Sequence, residues 1–194
     1  MTRLLVLVGS LRTASSSVAL ARALLERLPK GVTAEFADIG SLPHYCADHD
    51  GGEPVAHLLG QLLSADGVLF VTPEYNYSIP GVLKNAIDWA SRPAYQSVFR
   101  SKSCFIITVS GGAMGGVRAQ AHLKYILNGM MATVYPHQEV IVPEAPKKVV
   151  EGIFSDAPTI SFASGAIALW ITTLKGGVEH CPPSAPTEQF GPIT

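Results

Sequence analysis

An α/β domain on a five-stranded parallel sheet, with helices on both faces, is the fold class this sequence predicts. Three observations predict it. Short apolar runs alternate with helical patterns from one end of the chain to the other. The central runs, "GVLFVT" at 67–72 and "CFIITVS" at 104–110, are apolar on both faces, as strands sandwiched between helices must be. The chain has 194 residues, 47% hydrophobic and 15% charged, enough for one well-buried domain and too few for two.

Each element follows in order. "LLVLV" (4–8) is the first strand. A secretory leader is the competing reading, but the run is short and stops at Gly9-Ser10 without a small-x-small cleavage site. Residues 15–28 form a helix with Val18, Leu20, Ala21, Leu24, Leu25 and Leu28 on one side. A serine at its mouth caps free amides, and Pro29-Lys30-Gly31 ends it. "TAEFADI" (33–39) alternates as a strand open to solvent on one face, and 40–53 is a polar loop. A helix over 54–65 carries Pro54 in its first turn. The strand 67–72, a helix at 81–91, the strand 104–110 and a helix at 116–130 come next. "TVYPHQEVIV" (133–142) is the fifth strand, bent at Pro136, and the last helix covers about 159–175. No apolar stretch reaches the length of a membrane span; "GAIALWITTL" is too short. The domain is expected to occupy 1–176, leaving 177–194 as a Pro-rich tail. Five strands favour the flavodoxin-like order 2-1-3-4-5 over the Rossmann order.

Composition excludes several functions. Net charge is −1 and the pI about 6.6, with no basic stripe for nucleic acid and no polybasic patch for a membrane surface. Cys46, Cys104 and Cys181 lie far apart without a CxxC pair, which argues against a disulfide framework or a zinc site. Cys104, inside an apolar strand, reads as a small core residue. The six histidines form no ligand-spaced set, so no metal is expected. The cytoplasm is the expected location.

In the 2-1-3-4-5 order, ligands sit beyond the carboxyl ends of strands one and three, where the strand order reverses. The loop after strand one, "GSLRTASSS" (9–17), lacks both GxGxxG and GxxxxGK[ST]. It offers hydroxyls at Ser10, Thr13, Ser15, Ser16 and Ser17, a cation at Arg12, and free amides at a helix start. Capping needs one hydroxyl; five with an arginine suit a bound phosphate. The loop after strand three opens "PEYNYSIPGVLKNAIDW" (73–89) and places Tyr75 and Tyr77 beside that anion site. Phosphate on one loop and a flat ring on the next suit a flavin mononucleotide. The loop after strand four, "SGGAMGGVR" (110–118), has four glycines that let backbone approach a ligand closely.

With "GSLRTASSS", "TPEYNYSIPGVLKNAIDW" and "SGGAMGGVRAQAHL" in place, the chain resembles the NADPH-dependent FMN reductase family from about residue 3 to 143. These are flavodoxin-like quinone, azo-dye and flavin reductases. The second stretch is the most specific of the three. The resemblance implies one FMN per chain, its phosphate held by Ser10, Arg12, Ser15, Ser16 and Ser17. Pro73, Glu74, Tyr75 and Asn76 would border the isoalloxazine, partly through main-chain groups, and Ser110, Gly111 and Gly112 would reach its pyrimidine side. Many relatives carry Asn where Ser17 stands, so a water can bridge that contact here. The implied activity is ping-pong: NADPH or NADH gives hydride to FMN and leaves, and a quinone, azo compound or flavin then takes the electrons. Such a cycle needs no protein acid or base, so no residue is named as catalytic; Tyr75 and Arg118 are candidates for shaping the pocket. A homodimer or homotetramer is implied. "VLKNAIDWA" supports it, because Val82, Leu83, Ile87 and Trp89 offer more apolar surface than one helix face buries. Arg118 and Glu139 are expected to pair between subunits. The rivals are a flavodoxin-type electron carrier and an FMN-binding sensor without NAD(P)H turnover. Such carriers are strongly acidic, and a charge of −1 argues against the first.

Overall fold

The computed structural model describes residues 1–174; the expected tail at 177–194 and Cys181 lie outside the described residues. The chain runs β1 (Thr2–Val8), α1 (Ser16–Leu25), β2 (Val32–Phe36), α2 (Gly52–Ser64), β3 (Gly67–Pro73), α3 (Gly81–Ala90), β4 (Ser103–Val109), α4 (Val117–Gly129), β5 (Thr133–Val134) and β6 (Val140–Val142). A 3-10 turn (Ala145–Lys148), a two-stranded ribbon of β7 (Val149–Val150) and β8 (Ile153–Phe154), and α5 (Ala157–Leu174) complete it. The main sheet is parallel in the order β2-β1-β3-β4-β5, the flavodoxin-like order expected, and β6 also pairs with β4.

Successive side chains of a strand point to opposite faces, and the two cores show it. Leu4, Val6, Val8, Leu69, Val71, Phe105, Ile107 and Val109 pack under α1 and α5. Leu5, Leu7, Val68, Phe70, Cys104 and Ile106 pack under α2, α3 and α4. Helix α1 starts one residue later than expected and ends at Leu25, three short, because Arg27 and Leu28 turn to tighter bonds with the carbonyls of Leu24 and Leu25.

Two expectations need correction. The fifth strand is broken rather than bent: β5 pairs with Ser103-Cys104 and β6 with Ile107–Val109, and after a last bond from Tyr135 N–H to Cys104 O at 2.9 Å, residues 136–139 leave the ladder between them. Pro136 lies in that excursion and has no N–H to give the ladder. The Gln120 side-chain amide reaches the Ile106 carbonyl opposite the gap at 3.5 Å. Helix α5, at 18 residues, is longer and more continuously apolar than the sequence reading allowed, and by length and composition alone it could cross a membrane. Its Ile160, Ala163, Ile167, Trp170 and Ile171 are instead part of the core, and Trp170 Nε1 donates to Ser103 Oγ at 2.8 Å.

The apolar surface of α3 is accounted for inside the chain. Leu83 and Ile87 are buried against the sheet, and Val82 packs half-buried on the same core. Trp89 is 6% exposed: its Nε1 donates to the Pro43 carbonyl at 2.8 Å, and Tyr45 meets its ring edge-on at 5.0 Å. The loop between β2 and α2 therefore covers Trp89 within the chain.

Two ionisable groups lie buried at the start of β4. Lys102 Nζ donates to the Ala65 carbonyl at 2.5 Å, a cation at the carboxyl end of α2 where the helix dipole favours one. Burial lowers its pKa, and burial pushes the Cys104 thiol well above its ordinary value. A folded thiol that keeps its proton after the unfolded one has lost it gives stability that is complete below the ordinary value of 9.0 and declines above it. The limiting slope is about 1.4 kcal/mol per pH unit. Lys102 acts in the opposite sense: its depressed pKa makes stability rise with pH up to the ordinary 10.5. Cys104→Ala should therefore lose some stability at neutral pH yet flatten the alkaline decline. Urea unfolding on both sides of the ordinary thiol value checks this; parallel declines in the variant and the parent would remove the thiol as the cause.

Candidate cofactor site

Three hydrogen bonds extend the sheet's pairing past the ends of its strands. Gly9 N–H donates to Val71 O at 3.1 Å, Glu74 N–H to Val109 O at 3.2 Å, and Ser110 N–H to Val142 O at 3.0 Å. The loops after β1, β3, β4 and β6 consequently leave the carboxyl edge of the sheet side by side. Gly9 is required there, because a Cβ would fall 2.1 Å from Thr72 Oγ1.

The first loop ends in the amino terminus of α1. Ser15 is its cap: the hydroxyl accepts the Val18 N–H at 3.3 Å, and the Ser15 carbonyl takes the Ala19 N–H. That leaves the N–H groups of Ser16 and Ser17, at the first two helical positions, for an outside acceptor. Ser10, Ser15 and Ser17 are buried, Ser16 is half-buried and Arg12 is exposed. Ser10 Oγ accepts the Arg12 N–H at 3.4 Å, which folds the loop back over the helix start. The Arg12 guanidinium has no ion-pair partner among the described residues. Two free amides at a positive helix end, flanked by serines and a free arginine, form a donor set for a phosphate.

The second loop is a tight hairpin. Tyr75 and Ser78 exchange backbone hydrogen bonds at 2.9 and 3.0 Å around Asn76 (φ 48°) and Tyr77 (φ 67°). Positive φ at both central residues makes a type I′ turn, in which Asn sits easily and tyrosine is strained. Tyr75 and Tyr77 are consequently presented outward, Tyr77 at 67% exposure. Pro73 and Asn76 lie at the same edge, Pro73 half-buried and Asn76 exposed.

The Glu74 side chain is engaged within the chain. Its carboxylate accepts the N–H groups of Arg118 (3.0 Å) and Ala119 (3.2 Å) and the Arg118 Nη1 (3.3 Å). It caps α4, whose own cap position is Gly116 and offers no side chain. The Arg118 guanidinium lies 4.5 Å from the centre of the Tyr77 ring, and His122 Nδ1 lies 3.0 Å from Ser78 Oγ. Glu139 pairs with Lys124 at 2.6 Å, so within the chain the expected Arg118–Glu139 partners each hold a different residue.

The third loop contains two kinds of glycine. Gly115 and Gly116 have φ of +60° and +90°; a Cβ would lie 2.3 Å from Ile141 Cγ2 at the first and 2.9 Å from Thr108 Cβ at the second. The fold demands them. Gly111 and Gly112 are exposed with ordinary φ, and a Cβ would meet nothing closer than 3.9 and 3.7 Å. Among the described residues nothing requires glycine at either, which leaves open ground for a flat group approaching the backbone. The Ser110 hydroxyl accepts the Gly112 N–H at 3.1 Å. Segment 143–146 closes behind them, with Ala145 N–H on Ser110 O at 2.8 Å and Glu144 N–H on Gly112 O at 3.1 Å. Sequence reasoning missed this fourth wall, although Pro143 and Pro146 after a strand mark a turn.

The three anticipated loops thus meet at one edge: an anion cradle, an aromatic hairpin and an open glycine shelf. A concavity of about 630 Å³ lies elsewhere, at the amino ends of the strands by Arg3, Lys102 and Ser103.

Residues 2–147 match the family described as NADPH-dependent FMN reductase. A 2-hydroxy-1,4-benzoquinone reductase of Burkholderia sp. is 51% identical over 124 residues, 63% of this chain and 68% of that one. An NAD(P)H-dependent FMN reductase of Pseudomonas aeruginosa is 39% identical over 177 residues, 87% of this chain and 94% of the other. Among solved structures, a flavoenzyme NAD(P)H:(acceptor) oxidoreductase from Paracoccus denitrificans superposes with a TM-score of 0.81 at 33% identity, covering 91% of this chain and 98% of that one. The match spans every loop of the carboxyl edge, and on that basis the chain belongs to the NADPH-dependent FMN reductase family of flavodoxin-like, FMN-dependent NAD(P)H oxidoreductases.

Proposed function

We propose that FMN binds across the carboxyl edge of the sheet and that the chain couples NAD(P)H oxidation there to reduction of a small quinone-class acceptor. The observation that carries the site is the pair Gly111 and Gly112, glycines that the fold itself does not require. Bound FMN supplies the chemistry, accepting hydride and passing electrons on. The protein's part is placement. Arg12, Ser10, Ser15, Ser16, Ser17 and the α1 amides hold the phosphate. Pro73, Tyr75 and Asn76 border the ring, Glu74 reaches it through main chain alone, and Ser110, Gly111 and Gly112 shelve its polar edge. The other ring face is left for NAD(P)H and then the acceptor, one after the other.

Initial rates test this reading. NADPH oxidation with 1,4-benzoquinone should give parallel double-reciprocal lines as either substrate is varied. Bound FMN with no oxidation of NADPH or NADH in the presence of quinone would favour an electron carrier or a sensor instead.

The active unit is proposed to be a homodimer or homotetramer. Support comes from Tyr77, Met114 and Tyr125, exposed on the hairpin, the glycine loop and α4, with Tyr125 at 81%. Sedimentation at micromolar concentration should show no dominant monomer; a fully active monomer would remove the claim.

A further inference from the structure

The Glu74 carboxylate lies within hydrogen-bond reach of three donors on another element and has little solvent access, with 12% of its side chain exposed. Its own N–H holds the end of β4 through Val109 O. One residue therefore ties the loop after β3 both to β4 by main chain and to α4 by side chain. The hairpin beyond it is attached at two further points, the Tyr77 ring under Arg118 and Ser78 against His122. No comparable cap exists within α4, since Gly116 at φ +90° has no side chain and cannot gain one without striking Thr108. The hairpin strain at Tyr77 persists only while the surroundings hold it.

We propose that Glu74 is a positioning residue: it latches the 74–78 hairpin to the first turn of α4, and that latch fixes the setting in which the loop receives the cofactor ring. The inference rests on the FMN site proposed above. A carboxylate suits all three donors: Oε2 accepts both backbone N–H groups and Oε1 faces the guanidinium, where a glutamine could keep the two amide bonds only by turning its own N–H donors on Arg118 Nη1. The latch also makes the hairpin and the glycine shelf move as one body, because both are attached to the start of α4.

The test is Glu74→Ala, read three ways in the full-length chain. In the apoprotein, hydrogen exchange at the Arg118 and Ala119 amides should accelerate at least about tenfold, the factor for loss of one charge-assisted bond. The FMN dissociation constant should rise by about the same factor. At saturating FMN the visible circular dichroism of the flavin should change, because the ring then sits against a displaced loop. Faster amide exchange with unchanged FMN affinity and unchanged flavin dichroism would make Glu74 merely structural and overturn the proposal. Weaker FMN binding with unchanged amide exchange would make it a direct contact and overturn it as well. Arg118→Ala removes one arm and leaves both amide bonds, so it serves if Glu74→Ala does not fold; it should shift all three readouts the same way by less, and an unchanged dichroism there also refutes the latch. Titration of the parent protein with FMN tests the cofactor site separately: a parent that binds no FMN fails that site, not the latch.

Discussion

Replacing Gly115 with alanine is expected to remove about 2–5 kcal/mol of stability, the sum of left-handed backbone strain and overpacking of a filled site. The new methyl would stand 2.3 Å from Ile141 Cγ2 and 3.0 Å from the Pro143 nitrogen, and backbone cannot yield as a side-chain tip can. Gly116→Ala belongs to the same class, at φ +90° and against Thr108 and the Val109 carbonyl. Gly112→Ala, three residues earlier, should change apoprotein stability by no more than about 0.5 kcal/mol, because its Cβ enters open space. It should nevertheless weaken FMN. Urea unfolding of the three apoproteins separates a glycine kept for the fold from one kept for the ligand. Equal destabilisation at 112 and 115 would contradict this division of the loop.

Arg12→Ala is expected to weaken FMN by about 1.5–3 kcal/mol, roughly ten- to a hundredfold in dissociation constant. The side chain is exposed and has no ion-pair partner among the described residues, so its removal should leave the fold unchanged. The loss should shrink as salt rises, since an exposed charge pair is screened. Fluorescence titration at low and high ionic strength reads both effects. An unchanged dissociation constant at low salt would place Arg12 in solvent and leave the phosphate to serines and amides.

Much of the fold was legible because its signals are local. β3 and β4 are apolar on both faces, and a strand of that kind has few settings other than the middle of a helix-covered parallel sheet. The loops that meet at the carboxyl edge follow from that order, so Ser10, Arg12, Pro73, Tyr75 and Ser110 could be assigned to one edge before any coordinates. What was not legible depends on partners far along the chain. That the Glu74 carboxylate caps α4 shows only once it is found on amides 44 and 45 residues away. Trp89 reads equally as core or interface until the Pro43 carbonyl and Tyr45 are seen to cover it from more than forty residues upstream. Gly111, Gly112, Gly115 and Gly116 are the same letter; only φ and the surrounding atoms distinguish them. Pro136 signalled trouble in the fifth strand, but whether the ladder bends or breaks there depends on what α4 places opposite the gap, namely Gln120.

A serine-arginine cradle with no fingerprint for a pyrophosphate should hold FMN and not FAD. Acid release of the flavin from the purified chain, followed by chromatographic identification and quantification, decides it. FMN is expected at one equivalent per chain. Stoichiometric FAD, or a chain that takes up no flavin when FMN is supplied, would contradict it.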